Sequence, residues 1–349
     1  MKENKRIEYI DSMRGFTMIL VVAHHVAAFC LGINDYVSSI HPILCEFRMP
    51  LFFFISGFVL YKEETKWNAS HIANFLLVKK FPAQIITTSI FFLVFIKLHH
   101  VGLVEGLYSD SKLGYWFTLA LFAFFCIYAL CRYVFNLIKC NNIYTDVLLL
   151  SIGFLFFSLF YVQSVYFKLP IDDGIRNLFS LKFLGYFFYF IIGTLFKKYF
   201  SQIQVILDTK PVLTICLAIF FGANLYYREL DATHIALLNL FTALTGIVIV
   251  FSFFRINQEW FKKDKFVGRS LQYIGRRTLD IYLLHYLLLP TNLKIHFTSI
   301  VENPVPVIEF TITIIVTLIV VIGCLTISRI LRMSPVLSYL LFGVKNRKS

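Results

Sequence analysis

The sequence predicts an all-α fold: a polytopic membrane protein with about ten transmembrane helices and with both termini in the cytoplasm. Of its 349 residues, 58% are hydrophobic, and the mean hydropathy is +0.74, whereas about half of an average soluble chain is apolar. The apolar residues form runs near the roughly 20 residues that cross a hydrocarbon core. The segments between the runs are too short for a soluble domain, so we predict a single membrane domain over residues 1–349.

Ten apolar runs predict the spans. The first follows a basic stretch, as in a signal peptide, but no small-residue cleavage site comes after it, and it is long enough to cross the bilayer. The second starts at Arg48, which places Pro50 in the first turn of a helix, where its missing N–H would be unpaired anyway. The predicted spans are 14–32, 48–61, 81–98, 115–135, 146–167, 180–196, 211–227, 235–254, 273–290 and 305–328.

The positive charges determine the predicted orientation. Of the 33 Lys and Arg residues, 25 lie in the N-terminal segment and in the segments that follow even-numbered spans, and 8 lie in the others. Cytoplasmic segments carry such an excess, so both termini are predicted to be cytoplasmic. Because topology accounts for the formal net charge of +13, no nucleic-acid partner is expected.

Two further features lie outside this pattern. The stretch "RILRMSPVLSYLLFG" predicts an interfacial helix at 329–343 that stops at Gly343, followed by a basic tail at 344–349. The seven cysteines show neither CxxC nor Cys/His ligand spacing, so neither a metal site nor a disulfide framework is expected. Lipid-facing and partner-facing apolar surfaces have similar compositions, so no oligomeric state is predicted.

The first span carries an arginine and a histidine on one face. Arg14 and His25 are eleven residues apart, which is three helical turns plus about 20° and a rise of roughly 16 Å. His24 is turned about 100° away. Arg14 is therefore expected at the cytoplasmic edge and His25 near the middle of the bilayer, where an ionisable residue is a candidate functional group.

Two other spans bring polar residues to the same depth. Ser56 lies eight residues beyond Arg48, and His285 lies eight residues beyond Arg277, in each case about 12 Å along a helix. Tyr282 is on the face next to His285. One layer near the midplane is therefore predicted to contain His25, Ser56, Tyr282 and His285.

This layer suits proton transfer next to an anion site. A neutral imidazole is the side chain best placed to accept a proton near neutral pH, so His25 is a candidate general base. Arg14 below it would suit an anion that arrives from the cytoplasm, such as the phosphates of a nucleotide-like donor.

Each residue also has a structural interpretation, and both interpretations stay open here. The histidines would then hydrogen-bond across the bundle, and Arg14 would be a positive-inside anchor. Asp11 would cap the first helix, Asp280 would pair with Arg276 or Arg277 one turn back, and Tyr282 would be a packing aromatic. Ser56 with Gly57 would let two helices approach closely.

Three stretches in order resemble the acyltransferase-3 family of integral membrane O-acyltransferases, including its stand-alone glycan O-acetylases. "YIDSMRGFTMILVVAHH" is similar to the opening motif, an Arg or Lys followed by ten residues and a His. "FRMPLFFFISGFVLY" is similar to the aromatic-rich second-helix motif that ends in Ser-Gly-Phe, and "GRRTLDIYLLHY" to the late motif that closes with Tyr and His. The resemblance extends over essentially the whole chain.

The resemblance implies transfer of an acyl group, usually acetyl from cytoplasmic acetyl-CoA as co-substrate, to a hydroxyl of a glycan or another acceptor on the outer side. His25 would be the catalytic histidine and Arg14 its motif partner near the donor, with Arg48 and Ser56 as second-motif positions. No permanently bound cofactor is expected, and the implied location is a bacterial inner membrane. The expected holders of the CoA phosphates are some of Arg14, Lys79, Lys80, Arg269, Arg276 and Arg277.

Two mechanisms, one other function and a non-catalytic scaffold role remain open at the level of sequence, although a scaffold would leave the polar layer unexplained. His25 would either deprotonate the acceptor hydroxyl or relay the acetyl group between the two sides. The alternative function is a proton-coupled transporter or flippase for a small anion or a lipid-linked glycan, in which the histidines relay protons.

Overall fold

The computed structural model describes residues 7–33, 41–63, 65–167, 172–207, 209–226, 232–291, 293 and 305–344. These residues are almost entirely helical and contain no strand, which confirms the all-α prediction. In chain order the α-helices are α1 (Glu8–His25), α2 (His41–Leu60), α3 (Ala69–His99), α4 (Leu103–Tyr108), α5 (Trp116–Leu137), α6 (Asn142–Phe156), α7 (Asp173–Leu178), α8 (Phe187–Lys198), α9 (Phe200–Leu207), α10 (Lys210–Tyr226), α11 (Ala232–Ile256), α12 (Phe266–Arg276), α13 (Thr278–Leu288), α14 (Pro306–Leu331) and α15 (Pro335–Phe342).

Six helical stretches among the described residues are long and apolar enough to cross a membrane. A seventh candidate consists of α9 and α10, which meet at a 78° bend, and α13 is a shorter apolar helix. The membrane character is thereby confirmed, while the count of ten and the orientation of the termini stay predictions. The six stretches are Glu8–Leu31, Ala69–His99, Trp116–Leu137, Asn142–Gln163, Ile235–Ile256 and Pro306–Leu331.

Two helix boundaries differ from those that the apolar runs predict. Pro50 lies inside α2 rather than in its first turn, because the helix begins at His41, well before the apolar run that identified it. The predicted span at 273–290 is interrupted at Arg277, whose φ of −114° and ψ of 19° separate α12 from α13. Hydropathy locates apolar residues, so it misses polar helical turns and breaks inside an apolar stretch.

The chain divides into two compact units, the first formed by Met1–Ile55 and Ser201–Arg329. In this unit α1 packs along α12, and their backbones touch at two glycines. A Cβ on Gly15 would lie 2.1 Å from the carbonyl oxygen of Leu271, and a Cβ on Gly275 would lie 1.9 Å from that of Asp11. Both distances are far below van der Waals contact, so this crossing tolerates glycine alone.

The loop between α11 and α12 is tied to the same crossing. The amide of Gln272 donates to the carbonyl oxygen of Phe261 at 2.7 Å, and the hydroxyl of Ser12 approaches the same oxygen at 3.5 Å. Gln272 and Ser12 are buried, so their polar groups need these partners. The Phe261 ring packs on Phe254 with centroids 4.3 Å apart, which adds an apolar contact to the polar ones.

The second unit consists of Ser56–Phe200 and Ile330–Ser349. It has its own backbone contact, since a Cβ on Gly57 would lie 2.0 Å from the carbonyl oxygen of Phe190 in α8. The close helix approach predicted as the structural role of the Ser56–Gly57 pair is thus confirmed at Gly57. At one end of α6, Asp146 accepts hydrogen bonds from Lys198 and Tyr199, each at 2.5 Å, and the Asp146 bond raises the pKa of Tyr199 to about 12.

The short helix predicted after the last span is present as α15. It begins at Pro335, where the side chain of Ser334 accepts from the Leu337 amide at 3.4 Å, rather than at residue 329. It ends at Gly343 as predicted, with φ at +65°, a conformation that glycine adopts without steric cost. Of the predicted basic tail at 344–349, residues 345–349 lie outside the described residues.

We predict that Gly15→Ala lowers the thermal unfolding midpoint of the protein in detergent. The added methyl group would meet the Leu271 carbonyl, and overpacking of this kind costs about 1–3 kcal/mol. Gly222→Ala is the matched control, because a Cβ on Gly222 meets nothing within 4 Å and alanine favours helix. An unchanged midpoint for Gly15→Ala would contradict the backbone contact.

Candidate active site

The first unit carries the predicted base on its first helix. His25 is the last residue of α1, and a π-helical segment, Val26–Leu31, follows it directly and ends at Gly32 with φ at +72°. Such wide turns are frequent at functional sites, since they rotate the side chains that follow out of the regular helical order. His25 is half-buried, and the exposed ring of Phe29 stacks on it with centroids 5.7 Å apart.

A cluster of three rings forms around His25. The Nε2 atom of His25 and the hydroxyl of Tyr286 are 2.9 Å apart, which is a hydrogen bond. The ring centroid of His285 is 5.2 Å from that of His25 and 4.1 Å from that of Tyr286. The structure therefore brings together two predicted site residues, His25 and His285, at the end of α1 and near the end of α13.

The surroundings of His285 determine its tautomer. The side chain is fully buried, and Nδ1 lies 2.7 Å from the Tyr282 carbonyl oxygen and 3.1 Å from that of Ile281. Carbonyl oxygens only accept, so Nδ1 carries the proton and Nε2 keeps its lone pair. Nε2 has no hydrogen-bond partner among the described residues, which leaves a buried acceptor inside the cluster.

Tyr282 orients His285 through its backbone. Its carbonyl orients His285, and its buried ring lies 6.0 Å from the imidazole centroid. Sequence reasoning selected Tyr282 and missed Tyr286, which makes the direct contact with His25. The sequence does contain a signal for Tyr286. This residue is adjacent to His285, and the helical repeat places it one turn after Tyr282.

The first half of α1 contacts the start of α13 through Arg14. Arg14 donates to the Thr278 hydroxyl at 3.3 Å, and its guanidinium lies 3.9 Å from the Asp11 carboxylate. The alternative role of Asp11 as an N-cap is wrong, because α1 begins at Glu8 and its cap residue is Ile7. Asp11 lies inside the helix, one turn before Arg14.

A buried carboxylate organises the first turn of α13. Asp280 accepts a hydrogen bond from the Ser328 hydroxyl of α14, and the Arg277 guanidinium lies 3.6 Å from the carboxylate and 3.1 Å from the Ser328 oxygen. The predicted pairing of Asp280 with an arginine one turn back is confirmed for Arg277. Arg277 also covers the ring of Tyr273 at 5.4 Å, so its charge is held in place.

The remaining predicted donor-site cations are spread over both units. In the first, Arg276 is exposed, and Arg269 donates to the carbonyls of Lys263 and Asp264 at 3.3 and 3.4 Å. In the second, Lys79 is exposed and Lys80 lies 4.2 Å from the ring of Phe125. A joint role of these cations at one donor site therefore stays a prediction.

The second-motif residues lie on the two halves of α2. Arg48 is half-buried in the part that belongs to the first unit, and Ser56 is half-buried in the part that belongs to the second. The predicted meeting of Ser56 with His25 stays a prediction. Within the described residues, no group of three His, Cys, Asp or Glu side chains is arranged to hold a metal ion.

One comparison with known proteins identifies a relationship. The sequence model of a family described as an acyltransferase domain, Acyl_transf_3, matches residues 7–329. The match includes α1, α12, α13 and nearly all of α14, and therefore every residue of the cluster around His25. No curated protein and no solved structure matches the chain at a significant level.

We predict that Asp280→Asn destabilises the first unit. The substitution removes the charge that Arg277 and Ser328 compensate, and a buried hydrogen bond to a charged group contributes about 1.5–3 kcal/mol. The thermal unfolding midpoint should fall clearly. Asp173→Asn is the matched control, since Asp173 is 79% exposed beside Arg176 and exposed pairs contribute little. Equal midpoints for the two variants would contradict the structural role of Asp280.

Proposed function

The chain belongs to the acyltransferase-3 family, and on this premise we propose that it moves an acetyl group from cytoplasmic acetyl-CoA to a hydroxyl of an extracytoplasmic or lipid-linked glycan. Family membership together with the apolar helices makes it an integral membrane acyltransferase. The acetyl donor, the glycan acceptor and a bacterial inner membrane belong to the proposal. The observation that carries it is the hydrogen bond between His25 and Tyr286 beside the buried His285.

His25 acts as the base through its Nδ1 atom. Nε2 is engaged by Tyr286, so the productive tautomer is the one in which Nε2–H donates to the tyrosine oxygen and Nδ1 keeps the lone pair. When Nδ1 takes a proton, the Tyr286 oxygen faces the Nε2–H of the resulting imidazolium and stabilises it. Tyr286 is thus a positioning residue, comparable to the group that orients the base in other acyl-transfer sites.

In the proposed acetyl transfer, every bond and proton is accounted for by the donor, the acceptor and His25. The hydroxyl proton of the acceptor goes to His25 Nδ1 while the hydroxyl oxygen attacks the thioester carbonyl carbon. The new C–O ester bond forms, the C–S bond breaks, and the proton returns from His25 to the CoA sulfur. In the relayed version, Nδ1 first attacks the thioester carbonyl carbon, and the C–S bond breaks with CoA leaving as the thiolate. The acceptor oxygen then takes the acetyl group from the imidazole, and the proton of the acceptor hydroxyl neutralises the thiolate. Both versions require the same nitrogen.

The donor is proposed to lie toward the Arg14 end of α1. Arg14 and Arg277 both adjoin the first turn of α13, where backbone N–H groups and the helix dipole favour negative charge. Arg14 is half-exposed, and a guanidinium forms strong charge-assisted hydrogen bonds with phosphate oxygens. The Arg14-to-His25 rise of roughly 16 Å suits a donor whose thioester reaches inward from an anchored nucleotide.

We predict that His25→Ala abolishes both CoA release from acetyl-CoA and acetylation of acceptors in a membrane glycan extract. Removal of a general base costs about 10²–10⁴ in rate. His24→Ala is the matched control, because the helix turns this neighbour about 100° away from His25, with the two rings edge to face at 5.0 Å, and it should keep most of the activity. Purified wild type that moves substrate but never consumes acetyl-CoA with any acceptor would favour the transporter function.

We predict that Arg14→Ala raises the KM for acetyl-CoA with a smaller change in kcat. Loss of a charge-assisted hydrogen bond of about 1.5–3 kcal/mol corresponds to an increase of roughly tenfold to a hundredfold. Arg329→Ala, which removes an exposed arginine at the end of α14, is the control and should leave KM unchanged. An unchanged KM for the Arg14 variant would remove this residue from the donor site.

A further inference from the structure

The helix α12 carries different side chains on two of its faces. Gly268, Gln272 and Gly275 are buried, and the position of Gly275 touches the backbone of α1. At about 3.6 residues per turn, four exposed residues fall on another face, within a sector of about 80°. These residues, the exposed stripe, are Phe266, Arg269, Tyr273 and Arg276. Aromatic rings and guanidinium groups therefore alternate along an exposed face of α12.

The exposed stripe lies where two candidate membrane spans end. The span Ile235–Ile256 ends shortly before α12 begins, and the span Glu8–Leu31 begins at Glu8. The Glu8 carboxylate accepts a hydrogen bond from the backbone amide of Lys263 at 3.0 Å, and Arg269 donates to the carbonyl oxygen of Lys263 at 3.3 Å. Because both spans end beside this loop, we expect the stripe at the level of the lipid headgroups.

The loop before α12 has the same character as the stripe. Trp260 is 64% exposed and Phe266 is 83% exposed. Residues 257–276 contain five cations and two carboxylates, and one of these carboxylates, Glu259, pairs with Lys262 at 2.5 Å. The positive-inside rule accounts for the cations, while exposed amphipathic rings among them are typical of the membrane–water interface. The segment therefore combines an excess of positive charge with aromatic anchors.

The arginines of the stripe can hold a phosphate group. Arg269 uses its Nε and one Nη group for the carbonyl oxygens of Lys263 and Asp264, which leaves other donors of its five. Arg276 is exposed near the other end of the same face. A guanidinium binds phosphate through paired hydrogen bonds, and basic segments next to a span attract anionic lipids.

We propose that the exposed stripe and Trp260 bind anionic phospholipids on the side that the predicted topology assigns to the cytoplasm. Arg269 and Arg276 hydrogen-bond to the lipid phosphate, and the rings of Trp260 and Phe266 insert between the headgroups and the upper acyl chains. The excess of positive charge selects lipids with a net negative charge over zwitterionic ones. This proposal assigns the two arginines to the membrane rather than to the CoA phosphates, and it does not depend on the proposed acyl transfer.

The first experiment uses Trp260 as the reporter. The full chain is reconstituted in phosphatidylcholine vesicles with a rising fraction of nitroxide-labelled phosphatidylglycerol or nitroxide-labelled phosphatidylcholine, and the difference from the Trp260→Phe variant isolates the quenching of Trp260. We expect half-maximal quenching at an about tenfold lower fraction of the anionic lipid. Equal fractions for the two lipids would overturn the proposal. Absence of quenching by either lipid would place the stripe away from the membrane, where it could face a soluble partner, and would also overturn it.

Charge variants test the stripe itself. Arg269→Gln combined with Arg276→Gln should bring the two fractions within about twofold of each other, whereas the corresponding Lys pair should keep most of the preference. The control is Arg329→Gln, an exposed arginine at the end of α14, which should change nothing. In wild type, an ionic strength of about 1 M should also reduce the preference, because charges are then screened within about 3 Å. A preference that survives both the Gln pair and the salt would contradict the role of the arginines.

A competition experiment separates lipid binding from donor binding. Saturating coenzyme A should leave the quenching by labelled phosphatidylglycerol unchanged if the arginines hold lipid. Release of the labelled lipid by coenzyme A would show that Arg269 and Arg276 bind the donor phosphates, and it would overturn the lipid assignment. Because quenching requires no turnover, a failure of the proposed transferase activity would leave these results unaffected.

Discussion

The backbone contact between α1 and α12 is the constraint on which the first unit depends. At Gly15 and Gly275 the two helices approach so closely that the backbone of the facing helix occupies the space that a Cβ would need. Such contact gains dispersion energy along the whole crossing and holds the axial position of one helix against the other. Arg14 adjoins this contact and His25 lies about 15 Å farther along the same rigid helix, so the crossing determines where both ends of the candidate site lie.

The break at Arg277 places the candidate site on that fixed crossing. Because the chain leaves α12 and restarts as α13 within one residue, α13 begins beside Arg14 and ends near His25. The buried ion pair of Arg277 with Asp280, anchored by Ser328, holds this restart in place. A continuous helix through 273–290 would carry His285 along the direction of α12, and the contact of His25 with Tyr286 would be lost.

Polar groups are distributed unevenly along the first unit. Guanidinium groups lie at the first turn of α13, imidazoles and a tyrosine hydroxyl lie at its other end, and a carboxylate with hydroxyls continues along α14. In an apolar surrounding, each of these groups has a strong preference for the charge of its partner. The guanidinium groups and the candidate base thus lie at opposite ends of α13.

Much of this arrangement follows from the sequence alone. Apolar runs of spanning length determine the all-α membrane fold, and the eleven-residue spacing puts Arg14 and His25 on one helical face because the helical repeat is fixed. The proximity of His25 to His285 and the choice of Tyr286 over Tyr282 were decided by tertiary structure. These features depend on the Gly15–Gly275 crossing and the break at Arg277, which bring distant segments together through packing that no local periodicity encodes.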